Sequence, residues 1–298
     1  MKSVISPLCF GCEALGGTDW GNSDLGSIEK AISRAVEMGV NFFDTAQVYG
    51  LGLSETRLAK ALGNNRHDLI IATKGGLEWQ TRSRNSRAKV TRNSRPDFLV
   101  KGVEESLRRL SIDTIPIYYV HWPDESTPFQ HTFDALNRLK DEGKIRSIGC
   151  SNFTFEQTSQ VIQHTTIDYL QVPFSLFQRD ILGSFSRFCE ANSISVIAYN
   201  VLYSGLLSGK YDETSEFSAN DRRSRLPSFQ GDTFRALLKK ADGFRIAAQK
   251  HNMDLIDYSI AWVLKHEFVG SVITGIKDVK QLEVNWAAVQ RQRSGDRN

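Results

Sequence analysis

Residues 41–50 read NFFDTAQVYG, a short apolar run that ends in a carboxylate, Asp44, and is followed by a phenol, Tyr49. The pattern recurs twice, because LIIATK at residues 69–74 ends at Lys74 and IYYVH at residues 117–121 ends at His121. Apolar runs of this length predict buried β-strands. In a barrel of parallel strands, side chains at the carboxyl ends of the strands meet at one mouth. We therefore expect the four groups to form one site.

Eight such strand patterns alternate with amphipathic helical patterns. We predict strands at residues 7–10, 40–43, 69–73, 115–120, 145–149, 169–172, 195–198 and 271–274. Helical periodicity covers residues 28–38, 96–110, 129–142, 155–163, 183–192, 234–252, 255–265 and 279–290, with Ser27 as the expected cap of the first helix. This rhythm predicts an α/β fold, a single-domain (β/α)8 TIM barrel over residues 1–298. An open doubly wound sheet is the alternative, although no G-x-G-x-x-G motif follows the first strand.

Two long connections interrupt this alternation. Residues 75–95 follow the third strand and residues 203–231 follow the seventh, so in a barrel both lie on the catalytic face. Over residues 81–95 the first connection carries no acid and six cations: Arg82, Arg84, Arg87, Lys89, Arg92 and Arg95. This run is either a solvated charge stretch or an electrostatic funnel for an anionic substrate.

Charge and composition narrow the class of protein. The formal net charge is +3 at pH 7, which gives no reason to expect a nucleic acid or a membrane as partner. The first residues contain no apolar run typical of a signal peptide, and no segment reaches the roughly 18 apolar residues of a membrane helix. All four cysteines (Cys9, Cys12, Cys150 and Cys189) lie in or beside apolar segments. We therefore expect reduced thiols, no metal site and a cytoplasmic location.

Further motifs occur in a fixed order between residues 4 and about 286. Besides the runs given above, they are GC at 11–12, SE at 54–55, ESLRRL at 105–110, HWP at 121–123, EGKIRSIGCSNF at 142–153, QV at 171–172, AY at 198–199 and GLLSGK at 205–210. In this order and spacing the motifs resemble the aldo-keto reductase family. The resemblance implies a TIM barrel that binds a nicotinamide dinucleotide without a Rossmann domain. It also implies an enzyme that reduces carbonyl groups or catalyses the reverse reaction.

The resemblance makes Asp44, Tyr49, Lys74 and His121 the catalytic residues, and their chemistry agrees with that role. Carbonyl reduction adds a hydride to carbon and a proton to oxygen, and Tyr49 is the expected proton donor. A phenol titrates near pH ~10, so we expect the Lys74 ammonium, held by Asp44, to lower the pKa of Tyr49. His121 can bind and orient the substrate oxygen. Taken singly, Asp44 could be a cap, Tyr49 and His121 packing residues, and Lys74 a solvated cation.

The resemblance also implies a set of cofactor-binding positions. They are Gly11, Cys12, Asp44, Ser151, Asn152, Gln171, Tyr199, Asn200, Leu202, Ser204, Gly205, Leu207, Lys210, Gly275, Lys277, Gln281 and Asn285. Ser151 and Asn152 match the pair that holds the nicotinamide carboxamide, and Tyr199 matches the aromatic residue on which the nicotinamide stacks. The loop at residues 202–210 would wrap the pyrophosphate. Lys277 would meet a 2′-phosphate, which favours NADPH over NADH; a solvated lysine at a helix start is the alternative.

A few positions depart from the family pattern. Asn200-Val201 stands where Ser-Pro is usual, so that turn is expected to differ. Glu13 follows Cys12 where the family often has an aromatic residue. Trp20 could fill that space from further along the loop. Trp122 follows His121 and should wall the substrate pocket, so Trp122 and Trp20 are the candidate substrate-contacting residues.

The expected function is NADPH-dependent reduction of an aldehyde or ketone, sugar-derived ones included, to the alcohol. The partner would be a small-molecule carbonyl compound. Two alternatives stay open: a sugar or polyol dehydrogenase that works in the oxidative direction, and a regulatory subunit that binds the cofactor. The sequence leaves the substrate and the oligomeric state open.

Overall fold

Eight parallel strands close into a barrel in the computed structural model, which describes residues 4–80 and 89–294. The strands in chain order are β1 (Leu8–Gly11), β2 (Phe42–Asp44), β3 (Ile70–Gly75), β4 (Leu77–Trp79), β5 (Val90–Arg92), β6 (Ile115–Val120), β7 (Ile145–Ser151), β8 (Tyr169–Pro173), β9 (Ser195–Tyr199) and β10 (Val269–Gly275). Strands β4 and β5 form an antiparallel pair of their own. The other eight strands run in the order β1-β2-β3-β6-β7-β8-β9-β10, and β10 pairs with β1.

Helices connect successive barrel strands, and one more helix follows the last strand. They are α1 (Leu25–Glu37), α2 (Leu53–Leu62), α3 (Pro96–Leu110), α4 (Phe129–Asp141), α5 (Phe155–Val161), α6 (Ser184–Ala191), α7 (Gly231–Gln249), α8 (Leu255–Leu264) and α9 (Val279–Ser294). Among the residues described, no helix has both the length and the apolar character that crossing a bilayer requires. The predicted (β/α)8 barrel is confirmed.

Side chains alternate between two apolar layers along each strand. In β6, Ile117 and Tyr119 point into the barrel, where they pack with residues such as Phe42. Tyr118 and Val120 belong to the larger layer between the strands and the helices. Gly149 on β7 is needed at this level because a Cβ added there would overlap the ring of Tyr119. The barrel interior is thus filled by side chains, and a ligand site is expected only at its mouth.

All eight predicted strands are present, with ends that differ by at most two residues. The predicted cap of the first helix was wrong: Asp24, not Ser27, is the N-cap, and its carboxylate accepts from the backbone N–H groups of Gly26 at 3.2 Å and Ser27 at 3.0 Å. Glycine at position 143 does end α4, since its φ of 74° lies in the left-handed region.

Helix α2 was missed in the sequence because its buried face is partly polar. Ser54 and Glu55 are fully buried beside Leu58 and Leu62, which weakens the apolar periodicity. Glu55 is satisfied there by Thr73 Oγ1 at 2.6 Å, Ser106 Oγ at 2.7 Å and Arg109 Nε at 2.5 Å.

The two long connections also contain structure that the sequence did not reveal. The first holds the β4–β5 pair. The second, which we call the β9 loop (residues 200–230), contains three 3-10 helices at Tyr203–Ser208, Arg222–Arg225 and Pro227–Phe229. The β9 loop crosses to the loop after β1, where Trp20 and Asp221 form an antiparallel bridge.

Candidate active site

The carboxyl ends of neighbouring barrel strands deliver Asp44, Lys74 and His121 to one mouth. Asp44 ends β2, Lys74 lies near the end of β3, and His121 follows β6. Tyr49 is brought back toward them by the turn after β2, in which Gln47 N donates to Lys74 O at 3.2 Å and Tyr49 N donates to Ala46 O at 3.1 Å. The four predicted catalytic residues are therefore brought together.

Lys74 connects the carboxylate and the phenol. Its ammonium donates to Asp44 Oδ1 at 2.5 Å and to the backbone oxygen of Thr45 at 2.9 Å, and it lies 3.4 Å from Tyr49 Oη. Lys74 is 1% exposed and Asp44 is 3% exposed, so water does not compete for this pair. A buried lysine needs such a partner, because an isolated ammonium is costly to remove from water.

Gln171 holds the other oxygen of the carboxylate. Its Nε2 donates to Asp44 Oδ2 at 2.8 Å, from the opposite side of the barrel. Its Oε1 lies 3.4 Å from the Ser151 hydroxyl, which can donate to it. The carboxylate is therefore fixed on both oxygens, and it fixes the ammonium in turn.

His121 lies against Tyr49 with the two rings edge to face, at 6.0 Å between centroids and an interplanar angle of 85°. Burial, and then the positive charge of Lys74, hold the pKa of His121 well below its usual value. The imidazole is therefore neutral near pH 7. Its Nδ1 is buried and has no hydrogen-bond partner within residues 4–80 and 89–294.

The pKa of Tyr49 does not shift in the direction expected from the sequence. Burial raises it well above the usual value, the negative charges of Glu13 and Asp44 raise it further, and Arg222 opposes them. The expectation failed because it counted the Lys74 ammonium but neither the loss of solvent nor the acidic groups nearby. The Tyr49 hydroxyl is consequently protonated at neutral pH.

The predicted nicotinamide residues form a continuous hydrogen-bonded row beside the tetrad. Asn152 Nδ2 donates to the backbone oxygen of His121 at 2.9 Å and to Ser151 Oγ at 3.1 Å. Tyr199 Oη donates to Asn152 Oδ1 at 2.7 Å. Asn152 has a φ of 65°, a left-handed conformation that asparagine tolerates. An aromatic ring, two amides and a hydroxyl at one strand edge suit a flat carboxamide-bearing ring.

The turn after β9 is held by Asn200, at the position where the sequence departs from the family pattern. Asn200 Oδ1 accepts from Ser204 N at 2.7 Å, and its Nδ2 donates to Gln178 Oε1 at 2.8 Å. Left-handed φ values at Tyr203, Ser204 and Gly205 (49°, 53° and 92°) bend the chain sharply. Strained backbone of this kind concentrates at ligand-binding segments, which fits the predicted pyrophosphate loop.

Cations converge at the outer end of this loop. Burial lowers the pKa of Lys277, and the positive charges of Arg223 and Lys210 lower it further, while Asp221 opposes them. Arg223 is paired with Asp221 at 2.5 Å. Three cations with one nearby acid fit the phosphates of a dinucleotide. The sequence analysis included Lys210 and Lys277 but missed Arg223, whose only signal was its place in a long catalytic-face loop.

Lys277 also ties β10 to the loop after β1. Its ammonium donates to the backbone oxygen of Trp20 at 2.5 Å, and its backbone N–H donates to Gln281 Oε1 at 3.0 Å. Asp278 next to it caps α9 by accepting from Gln281 N at 2.8 Å. The carboxylate of Asp278 is thus engaged in a helix cap.

The remaining predicted positions differ in burial. Gly11 and Cys12 are buried at the end of β1, and Cys12 N donates to Asp44 O at 2.8 Å. Leu207 and Asn285 are buried, Leu202 is half-buried, and Gly275 is exposed at the end of β10. Their roles toward the cofactor stay predictions. No group of three or more His, Cys, Asp or Glu side chains suited to a metal ion is present in the described part of the chain.

The two predicted substrate residues have different surroundings. Trp122 is 37% exposed, and the Arg92 guanidinium lies 5.1 Å from its ring centre. Trp20 packs under the guanidinium groups of Arg222 and Arg223, at 5.5 and 5.7 Å. Trp122 is thus partly open to solvent beside His121, whereas Trp20 is held by the β9 loop and by Lys277. Arg82, Arg84 and Arg87 of the basic run lie outside the described residues.

Comparison with known proteins shows the family. The model of the aldo/keto reductase family matches residues 7–296. The structure of the glycerol dehydrogenase AKR11B4 from Gluconobacter oxydans is similar with a TM-score of 0.86 and 33% identity, over 99% of this chain and 93% of that chain.

Two curated relatives differ in the cofactor that their names specify. Aldo-keto reductase yakc of Schizosaccharomyces pombe, named for NADP(+), is 31% identical over 296 residues, which cover 97% of this chain and 85% of the relative. The NADH-specific methylglyoxal reductase of Escherichia coli is 29% identical over 296 residues, which cover 96% of this chain and 90% of the relative. The chain belongs to the aldo/keto reductase family, and it is an NAD(P)H-dependent oxidoreductase that acts on small carbonyl compounds or the matching alcohols.

Proposed function

We propose that this enzyme reduces an aldehyde or ketone to the alcohol, with NADPH as reductant and Tyr49 as general acid. The observation that carries the proposal is the buried chain of contacts from Asp44 through Lys74 to Tyr49 Oη, at 2.5 and 3.4 Å. The two alternatives from the sequence, oxidation of polyols and a regulatory role, use the same pocket. The protonated phenol of Tyr49 is the form that can donate a proton in the direction of reduction.

Tyr49 would give its proton to the substrate oxygen as negative charge develops there. The phenolate left behind is stabilised by the Lys74 ammonium 3.4 Å away. Asp44 and Gln171 keep that ammonium in place, through contacts of 2.5 and 2.8 Å. The pKa of free Tyr49 is high, so proton transfer is expected to occur only as the alkoxide forms, which is the stronger base.

His121 would orient the carbonyl. A neutral imidazole has one N–H donor. A buried N–H without a partner costs more than a buried acceptor without one, so the orphaned Nδ1 favours the tautomer in which Nε2 carries the proton. Nε2 is then free to donate to the substrate oxygen, and that hydrogen bond strengthens as the oxygen becomes negative.

The cofactor would supply the hydride, and NADP(+) is named for the relative from Schizosaccharomyces pombe. We assign the nicotinamide end to Ser151, Asn152, Gln171 and Tyr199. We assign the phosphates of the cofactor to the β9 loop, together with Lys210 and Lys277. Lys277 with Arg223 near it gives two cations for a 2′-phosphate, and this supports a preference for NADPH over NADH.

A comparison of the two directions tests the proposal. Initial rates of NADPH-linked reduction of a panel of short aldehydes would be measured beside NADP+-linked oxidation of the matching alcohols at pH 7. Faster reduction is expected throughout. A rate that is measurable only for oxidation would instead favour a polyol dehydrogenase, a candidate supported by the similarity to the glycerol dehydrogenase from Gluconobacter oxydans. Tight cofactor binding without turnover in either direction would favour a regulatory subunit. The cytoplasmic location expected from the sequence stays a prediction.

A further inference from the structure

An ion pair lies over the mouth of the barrel, between elements that are far apart in the chain. Glu13 begins the 3-10 helix Glu13–Gly16 directly after β1, and Arg222 begins the 3-10 helix Arg222–Arg225 of the β9 loop. Arg222 Nη1 donates to Glu13 Oε1 at 3.1 Å and Oε2 at 3.4 Å. The backbone holds the arginine in place, because Arg222 N donates to Asp19 O at 2.8 Å.

The pair faces the two tyrosines of the site. Both charges act on the Tyr49 hydroxyl, where burial is the main effect, Glu13 raises the pKa and Arg222 lowers it. The same charges act on Tyr199, whose pKa burial raises to about 12. The contacts agree with this placement: the 3-10 helix that begins at Glu13 packs on the turn at Tyr49, where a Cβ added to Gly16 would lie 2.9 Å from the Tyr49 carbonyl carbon. The Arg222 guanidinium lies 5.5 Å from the ring centre of Trp20, a candidate substrate residue.

The pair has hydrogen-bonding capacity left over. Glu13 and Arg222 side chains are 33% and 39% exposed. Their mutual contact uses a single guanidinium nitrogen, while an arginine has five N–H donors and a carboxylate has about four acceptor sites. A hydroxyl group is both donor and acceptor, so it can bind to either residue without breaking the pair.

The charge of the pair decides which substrate class fits. Its net charge is zero, so it offers an anion no long-range attraction. An anionic group that bound Arg222 in place of Glu13 would also leave the Glu13 carboxylate unpaired beside that anion. An apolar substituent would exclude water from both charged groups. It would offer no hydrogen bonds in place of those that the groups make with water. A neutral hydroxylated group avoids both costs.

We propose that Glu13 and Arg222 recognise hydroxyl groups adjacent to the reacting carbon, and so select hydroxyaldehydes and hydroxyketones, or polyols in the reverse direction, over apolar substrates of the same size. This inference rests on the proposed function, since it specifies the substrate of the same site. The two residues act on substrate choice, and the proton and hydride steps are left to the groups described above.

Glyceraldehyde and propanal form a matched substrate pair, because they have the same three-carbon chain and differ only in two hydroxyl groups. The measured quantity is the ratio of kcat/KM for glyceraldehyde to kcat/KM for propanal, with each rate referred to the free aldehyde. Wild type is expected to prefer glyceraldehyde. Glu13→Leu should lower the ratio at least tenfold, equivalent to ~1.4 kcal/mol. Glu13→Gln, which keeps an acceptor oxygen, should lower it less.

A matched control comes from the neighbouring ion pair. Arg225 is paired with Asp19 at 2.5 Å and joins the same two loops. Asp19→Asn therefore perturbs the connection between the loops without removing Glu13 or Arg222, and the ratio should stay at the wild-type value. Thermal melts check that each variant is folded, and the Gln variant serves if the Leu variant is not.

The outcomes separate the two proposals. Equal losses for both aldehydes in Glu13→Leu, or an equal fall of the ratio in Asp19→Asn, would assign the pair to loop structure and overturn this inference alone. Weaker NADPH binding with an unchanged ratio would assign it to the cofactor and also overturn it. If only oxidation is observed, the ratio of kcat/KM for glycerol to kcat/KM for 1-propanol replaces the aldehyde ratio. The same fall of this ratio in Glu13→Leu is then expected, and an unchanged ratio would overturn the inference. No turnover of either pair in either direction would overturn both proposals.

Discussion

The ammonium of Lys74 donates to the carboxylate of Asp44 at 2.5 Å in a part of the barrel where both side chains are at most 4% exposed. The pair comes from neighbouring strands, β2 and β3, and Gln171 on β8 reaches across the barrel to the same carboxylate at 2.8 Å. One carboxylate therefore supports both the position of the ammonium and the packing of three strands. Structural and catalytic consequences of changing it should be separable.

Asp44→Ala should destabilise the protein, because it leaves the Lys74 ammonium buried without its partner. Loss of one member of a buried ion pair costs about 3–5 kcal/mol. The free energy of unfolding would be measured by urea denaturation. The double variant Asp44→Ala/Lys74→Met should recover at least half of the loss, since no uncompensated charge remains.

The exposed pair of Arg245 with Asp242, at 3.0 Å and 63% exposure of the aspartate, is the control. Asp242→Ala should change the unfolding free energy little, because surface pairs contribute little. If the double Asp44/Lys74 variant were no more stable than Asp44→Ala, the cost would come from lost packing rather than from the stranded charge.

Tyr49→Phe should remove most of the turnover and leave NADPH affinity nearly unchanged. The substitution deletes only the proton-donating hydroxyl, and general acid catalysis contributes about 10²–10⁴ in rate. Single-turnover hydride transfer and titration of NADPH fluorescence would measure the two effects separately. A variant that kept more than a tenth of kcat would contradict the role of Tyr49 as the acid.

Particular residues show how far the sequence carries the inference. The ends of β6 and α3 could be placed correctly because Ile115–Val120 is uniformly apolar and α3 begins with Pro96. The tetrad could be found because Asp44, Lys74 and His121 lie at or just past the ends of their strands, and Tyr49 follows β2 within the same motif. The pairing of Glu13 with Arg222, 209 residues apart, could not be found, because it depends on the path of the β9 loop. The direction of the Tyr49 pKa shift could not be predicted either, because the effect of burial outweighs the effect of the nearest charge.

The pKa shifts of Tyr49 and His121 predict a wide plateau for reduction. A raised pKa keeps Tyr49 protonated into alkaline solution, and a lowered pKa keeps His121 neutral into mildly acidic solution. The rate of single-turnover reduction should therefore be flat between about pH 6 and 9, where free His and Tyr would titrate at ~6.5 and ~10. Oxidation needs the phenolate and should rise with pH over the same range.

His121→Gln provides the control for the acidic side, because an amide does not titrate. Any decline of the reduction rate below about pH 6 should disappear in this variant, although its overall rate is lower. A sharp fall of wild-type reduction between pH 7 and 8 would mean that Tyr49 ionises near neutrality. The raised pKa would then be wrong for the enzyme with its cofactor bound.

Lys277→Ala should weaken NADPH binding by about 10- to 100-fold and affect NADH little. A charge-assisted hydrogen bond is worth roughly 1.5–3 kcal/mol, at ~1.4 kcal/mol for each factor of ten, and only NADPH carries the 2′-phosphate.

Lys277 also donates to the backbone oxygen of Trp20 at 2.5 Å, so Lys277→Met, which keeps the packing of the stem, should be made beside Lys277→Ala. Lys280→Ala, an exposed cation on α9, controls for the general loss of positive charge. Dissociation constants for both cofactors at two salt concentrations would decide the matter: a selective loss of NADPH in both Lys277 variants supports direct phosphate binding, whereas equal losses for NADPH and NADH would mean that Lys277 mainly holds the loop after β1 in place.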